Sequence, residues 1–233
     1  MLRTVDYIPA DDIERAVIFL HGYGSNGSDY SSMIQTLADR FPNTAFYCPD
    51  APEVVEFSSD GVYQWYPIEG YNPDELKRNI DQMKYVFSEY TALAEKSRIE
   101  LDVLIESVAA KHFLPADKIA LLGFSQGGLM AVLTALMYPE TLGPVVSFSG
   151  MSAVINRDLA IRVSPPVMLI HGGSDAIVPS DAVDISTRML VNFGIAPEVA
   201  IIPNMGHEIN DEALNKAISF LKENFNQTIN HGS

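Results

Sequence analysis

Three residues have the types and settings that nucleophilic catalysis needs: Ser125, Asp175 and His207. Ser125 stands in Gly123-Phe124-Ser125-Gln126-Gly127, a G-x-S-x-G spacing. It lies directly after the apolar run Ile119–Leu122 and directly before the helical run Leu129–Met137. A strand–turn–helix setting is what a nucleophile elbow requires, because the sharp turn pushes the hydroxyl out beyond the sheet edge. The helix that follows also turns backbone N–H groups toward the place where negative charge develops. A glycine-rich turn with an incidental serine is the plainer reading of the five letters, and the flanking elements weigh against it.

A serine hydroxyl needs a base, and the base needs a carboxylate to orient it. After this kind of elbow the expected chain order is Ser, then Asp or Glu, then His. Downstream, the run Val167–Ile170 ends in His171-Gly172-Gly173-Ser174-Asp175, and the run Val199–Ile202 ends in Pro203-Asn204-Met205-Gly206-His207. All three side chains thus leave the carboxyl ends of strands, the edge at which open α/β sheets bind ligands.

The other candidates have plainer roles. His21 and His171 open His-Gly turns after strands and read as loop braces, and His112 sits at a helix C-terminus where a charged imidazole suits the dipole. His231 belongs to the polar tail. Asp181, Asp184, Asp211 and Glu212 read as helix starts, and Glu208 is too close in sequence to orient His207. An oxyanion hole needs two donors. The N–H of Gln126 is one, and the glycine-rich loop His21-Gly22-Tyr23-Gly24 after an early strand supplies the other, assigned to Tyr23.

The elements that must position these groups follow from hydrophobic patterning. Ala16–Leu20, Thr44–Cys48, Ile119–Gly123, Val145–Phe148, Val167–Ile170 and Val199–Ile202 are short continuous apolar runs, as expected of strands buried on both faces. Helical patterns separate them over Tyr30–Phe41, Leu129–Met137, Ala182–Phe193 and Glu212–Phe225. The alternation predicts one α/β domain with a mostly parallel sheet and helices on both faces. Glu53–Asn72, with Tyr63, Trp65, Tyr66 and Tyr71, reads as an extended excursion turning at Asp60-Gly61. Pro73–Phe113 reads as two helices broken near Lys96-Ser97-Arg98, since one helix of that length is unusual.

Composition excludes whole classes of partner. The 233 residues carry 30 Asp+Glu against 15 Lys+Arg, a formal charge of −15. Such a surface repels a phosphate backbone, so nucleic acid is not an expected partner, and it lacks the polybasic clusters that dock on anionic lipid. No run approaches the ~18 apolar residues of a spanning helix, so stable membrane insertion is not expected. The lone Cys48 rules out an internal disulfide. The first residues lack a signal-peptide core, and a cytoplasmic location is the expectation.

Taken together, Leu20-His21-Gly22-Tyr23-Gly24-Ser25-Asn26-Gly27, Gly123-Phe124-Ser125-Gln126-Gly127-Gly128, His171-Gly172-Gly173-Ser174-Asp175 with Val178-Pro179, and Gly206-His207-Glu208-Ile209 resemble the phospholipase/carboxylesterase family. These small α/β-hydrolases include the acyl-protein thioesterases. The resemblance spans nearly the whole chain. It implies an α/β-hydrolase domain over residues 1–225 with a polar tail at 226–233. It further implies Ser125, Asp175 and His207 as triad and Tyr23 with Gln126 as oxyanion pair. The family's reaction is hydrolysis of carboxylic esters and thioesters, with no metal and no organic cofactor, often by a homodimer. Trp65 and Tyr66 would form an apolar wall, with Ile177, Val178 and Met205 lining the same groove. The helical stretch from Asp74 to about Arg98 is longer than the family pattern and reads as a lid, a dimer surface or a surface elaboration. The natural substrate stays open among an acylated protein, a lysophospholipid and a small ester or thioester. A non-catalytic binding module is the rival reading from another class. A peptidase or a carbon–carbon hydrolase is the rival on the same scaffold.

Overall fold

In a computed structural model, the chain is described over residues 2–9, 12–56, 61–77, 79–151, 153, 161 and 163–227. The apolar runs become strands β2 (Arg15–Leu20), β3 (Thr44–Pro49), β6 (Ile119–Phe124), β7 (Val145–Phe148), β8 (Val167–Gly172) and β9 (Glu198–Ile202). They pair in parallel, and β1 (Thr4–Tyr7) adds an antiparallel edge, giving the order β1-β3-β2-β6-β7-β8-β9. The chain runs outward from β2 to β3 on one side and to β6 on the other. The crevice beyond the carboxyl ends of β2 and β6 is therefore a topological switch point, where α/β sheets place ligands.

Side chains alternate across each strand and so build two cores. Val17 and Phe19 of β2 pack toward α1 (Ser31–Ala38) and α6 (Asp211–Gln227), with Ile34, Leu37, Ala217 and Leu221. Ala16, Ile18 and Leu20 face α3 (Ile80–His112), α4 (Gln126–Met137) and α5 (Asp181–Asn192) on the other side. The chain is one α/β domain, with a mostly parallel sheet between two helical layers. α4 is buried from Gln126 to Leu136, which explains why it is apolar apart from Gln126 and Thr134.

Three elements differ from expectation. The break in the Pro73–Phe113 stretch does not fall near residues 96–98. It follows the one-turn helix α2 (Pro73–Leu76), and α3 then runs unbroken for 33 residues. Asn79 starts α3 by accepting bonds from the Asp81 and Gln82 N–H groups, a side-chain cap of the usual Asn type. The three polar residues at 96–98 each have a partner instead. Lys96 pairs with Glu53, and Ser97 is buried and donates to the Trp65 carbonyl. Arg98 lies between Glu95 and Asp102.

The second difference is β9, expected to be buried on both faces. It is the sheet's last strand, and Val199 and Ile201 are each 46% exposed while Ile202 faces the α6 core. The third is β1, unread because a four-residue edge strand with an outward Asp6 has too little apolar pattern to register. The excursion holds a two-stranded ribbon, β4 (Glu53–Val54) with β5 (Tyr63–Gln64). Asp60, of the expected turn, and residues 228–233 of the tail, His231 included, lie outside the described residues.

Candidate active site

Ser125 occupies the turn between β6 and α4 with φ 54° and ψ −114°, a backbone region that a non-glycine residue enters only under strain. Two glycines permit this turn by absence of a side chain. A Cβ on Gly123 would lie 2.0 Å from the Gly127 carbonyl oxygen, and one on Gly127 would lie 2.1 Å from that of Leu20. Either contact is far below van der Waals distance, so strand β6, helix α4 and strand β2 approach only because both positions are glycine. The Ser125 N–H donates to the Phe148 carbonyl at 2.9 Å, which ties the elbow to the neighbouring strand β7.

His207 follows β9, as expected, and faces the serine. Its Nε2 lies 2.9 Å from Ser125 Oγ, and its Nδ1 lies 2.8 Å from Asp175 Oδ2. An ionised carboxylate only accepts, so Nδ1 carries the hydrogen and Nε2 is left as the acceptor for the serine hydroxyl. Asp175 follows β8, and its Oδ1 accepts from the Ile177 and Val178 N–H groups at 2.8 and 2.9 Å. Burial alone would raise the Asp175 pKa. The hydrogen bond and charge of His207, with the two backbone bonds, outweigh it and hold the carboxyl below its ordinary value. Asp175 is therefore a carboxylate whenever the protein is folded near neutrality.

Tyr23 lies on the loop after β2, and Gln126 is the first residue of α4. A Cβ on Gly22 would sit 3.5 Å from Ser125 Cβ, so the Tyr23 loop runs directly beside Ser125. The Gln126 side chain has contacts that sequence reasoning did not assign. Its Oε1 accepts from the Trp65 N–H at 2.8 Å and its Nε2 donates to the Tyr66 carbonyl at 2.6 Å, clamping the excursion to the elbow. The available signal was a polar side chain in the first turn of an otherwise apolar buried helix. Phe124 was also passed over. Its ring centroid is 4.8 Å from that of His207, which backs the imidazole with an apolar surface.

The suggested groove residues scatter. Trp65, Tyr66, Val178 and Met205 are each 0% exposed and belong to the two cores, whereas Ile177 is half exposed. Trp65 Nε1 donates to the His21 carbonyl, and the Tyr71 hydroxyl donates to that of Ile177. His21 itself is buried. Its Nδ1 lies 2.7 Å from the Gly22 carbonyl oxygen, and its Nε2 accepts from the Ala51 N–H at 3.0 Å. His171 is buried with Nε2 3.0 Å from the Val178 carbonyl. Burial lowers the pKa of both histidines, so each is a neutral brace. His112 ends α3, as expected, but burial pushes its pKa down too, and its Nε2 meets the Tyr47 hydroxyl at 2.6 Å. Among the described residues no three His, Cys, Asp or Glu side chains converge as a metal site.

Residues 7–225 match the phospholipase/carboxylesterase family. The chain belongs to that family. An acyl-protein thioesterase 1 of Gibberella zeae is 30% identical over 220 residues, covering 89% of each chain. One of Schizosaccharomyces pombe is 30% identical over 197 residues, covering 82% of each. Among solved structures, that of esterase PE8 superposes with a TM-score of 0.81 at 32% identity, covering 96% of this chain and 98% of that one. An acyl-protein thioesterase 2 of Zea mays shares the fold, with a TM-score of 0.69 at 24% identity and coverage of 97% and 100%. As a member of the phospholipase/carboxylesterase family the protein is a hydrolase of α/β-hydrolase fold. None of the described helices is long and apolar enough to cross a membrane.

Proposed function

We propose that the protein hydrolyses carboxylic esters or thioesters through an acyl-enzyme on Ser125. The observation that carries this reading is the continuous chain Ser125 Oγ–His207–Asp175, with both hydrogen bonds under 3 Å. In the first step Ser125 Oγ attacks the substrate carbonyl carbon while His207 Nε2 takes the hydroxyl proton. Asp175 keeps Nδ1 protonated and stabilises the imidazolium that forms. The carbonyl oxygen becomes an oxyanion between the Tyr23 and Gln126 N–H groups, each worth about 3–4 kcal/mol of barrier. His207 then passes its proton to the leaving oxygen or sulfur, and the C–O or C–S bond breaks. Water, deprotonated by His207, releases the acid and restores Ser125.

The relatives named acyl-protein thioesterase support thioesters, acylated proteins included, and the family description supports carboxylic esters and phospholipids. The hydrolase domain is taken as residues 1–225, and the first half of α3 belongs to its core, since Met83, Phe87, Tyr90 and Ala94 are buried there. A cytoplasmic location accords with the single Cys48, which is buried, and a homodimer accords with the family resemblance. The test is turnover of p-nitrophenyl butyrate by Ser125→Ala. A fall of about five to six orders of magnitude is expected, and a variant that keeps the parent rate would contradict the reading.

A further inference from the structure

The two N–H groups assigned to the oxyanion lie on separate segments, Tyr23 on the loop after β2 and Gln126 at the start of α4. Such a hole stabilises charge only when both donors are aimed in advance at one place. For Gln126 the helix does this. The Ser125 carbonyl, on the peptide that carries the Gln126 N–H, accepts from the Gly128 N–H at 3.0 Å. Tyr23 is on a loop, so its donor must be oriented by groups from elsewhere. Its N–H belongs to the Gly22–Tyr23 peptide, which is held at its far end and on both flanks. Because His21 Nε2 accepts from the Ala51 N–H, Nδ1 carries the hydrogen and donates to the Gly22 carbonyl of that peptide. On the preceding flank, the Trp65 indole donates to the His21 carbonyl at 2.9 Å, and its ring centroid is 5.4 Å from that of the imidazole. On the following flank, the Gly24 N–H donates to the Tyr63 carbonyl at 2.9 Å.

Both flanking bonds thus come from one stretch of the excursion, and that stretch also reaches the second donor residue. The Trp65 N–H donates to the Gln126 side chain at 2.8 Å, and the Trp65 carbonyl accepts from the buried Ser97 hydroxyl of α3. Trp65 therefore bonds the Tyr23 loop through its indole and Gln126 through its backbone. Resting on the acyl-enzyme reading above, we propose that Trp65 is a positioning residue of the oxyanion hole, a strut that sets the Tyr23 N–H against the Gln126 N–H. Trp65 is fully buried, so it acts through these bonds rather than by touching substrate. What the site requires of it is a hydrogen-bond donor, which an apolar ring cannot supply.

Trp65→Phe keeps an aromatic ring in the core and removes the indole donor, which makes it the test. With p-nitrophenyl butyrate its kcat falls about tenfold while KM stays within about twofold of the parent, because a misaimed donor is felt in the transition state rather than in the bound ester. Trifluoromethyl propyl ketone gives a separate readout. Ser125 Oγ adds to its carbonyl carbon, the hydroxyl proton passes to His207, and the ketone oxygen becomes an oxyanion in the same hole. Its inhibition constant rises by the factor by which kcat falls. Phe225→Leu, a loss of buried contact in the other core, lowers the melting temperature and leaves kcat and the inhibition constant at the parent values. If Trp65→Phe does not fold, Ser97→Ala decides, since it releases the Trp65 carbonyl and moves both quantities severalfold in the same direction. An unchanged kcat, a change in KM alone, an unmoved inhibition constant or an equal loss in Phe225→Leu overturns the strut. If the parent neither hydrolyses p-nitrophenyl butyrate nor reacts with a fluorophosphonate, the acyl-enzyme reading itself has failed.

Discussion

At Ser125 the backbone is held at φ 54° because its neighbours leave it no alternative: Gly127 touches strand β2 where a side chain cannot fit. Gly127→Ala is expected to cost roughly 3 kcal/mol or more, as overpacking does when backbone must move, and a thermal melt reads it. Asp175→Asn should lower kcat by about 10⁴, because an amide no longer fixes the imidazole tautomer. Its stability effect has a definite pH sign. The folded pKa of Asp175 lies below the ordinary value, so its stabilisation is present above the unfolded value of about 3.9 and is lost as pH falls through the folded one. The variant's melting deficit should therefore be full at pH 7 and shrink below about pH 4. A deficit that grows in acid would contradict the assignment. Cys48 offers a simpler check. Burial pushes its thiol up to about 12, so iodoacetamide should label it only after unfolding.

The hydrogen-bonded chain of Ser125, His207 and Asp175 was legible because each member follows a strand, and a strand's carboxyl end can be read from a run of apolar letters. Tertiary partners were not legible. The Gln126 amide reaches backbone 60 residues away at Tyr66, and the Phe124 ring meets an imidazole on the loop after β9. Trp65 and Tyr66 show the same limit. An aromatic pair has one appearance in sequence whether it lines a groove or fills a core, and here both side chains are fully buried.

Among the elements, α3 departs furthest from a sequence reading. The polar triplet at 96–98 resembles a break only until its partners are known, since Ser97 points inward and binds the Trp65 carbonyl. The actual start is marked by Asn79, a single capping residue with no apolar pattern around it. Ser97→Ala removes a buried hydrogen bond between α3 and the excursion, and should lower stability by about 1–2 kcal/mol. Because the Trp65 N–H is held by Gln126, the same change should also lower kcat for p-nitrophenyl butyrate severalfold. A variant with parent stability would show that the contact contributes nothing. Strand β9 carries the opposite lesson. Its four apolar letters were read as doubly buried, yet edge position leaves Val199 and Ile201 half exposed.

For the whole molecule, the charge of −15 first served to exclude nucleic acid and anionic lipid. Self-repulsion at that charge opposes compactness, so the melting temperature should rise by a few degrees, about 2–5 °C, between 10 and 200 mM salt as repulsion is screened. A fall would mean that ion pairs such as Lys96–Glu53 outweigh the repulsion. The two cores that hold β2, β6, β8 and β9 together bring Ser125, Asp175 and His207 to one edge from positions 82 residues apart in the chain at the widest. That convergence is the central claim, and a fluorophosphonate tests it most directly. Peptide mapping by mass spectrometry should find a single adduct, on Ser125, with labelling lost in His207→Gln and in heat-unfolded protein. An adduct on another serine, or equal labelling of the His207 variant, would contradict the account.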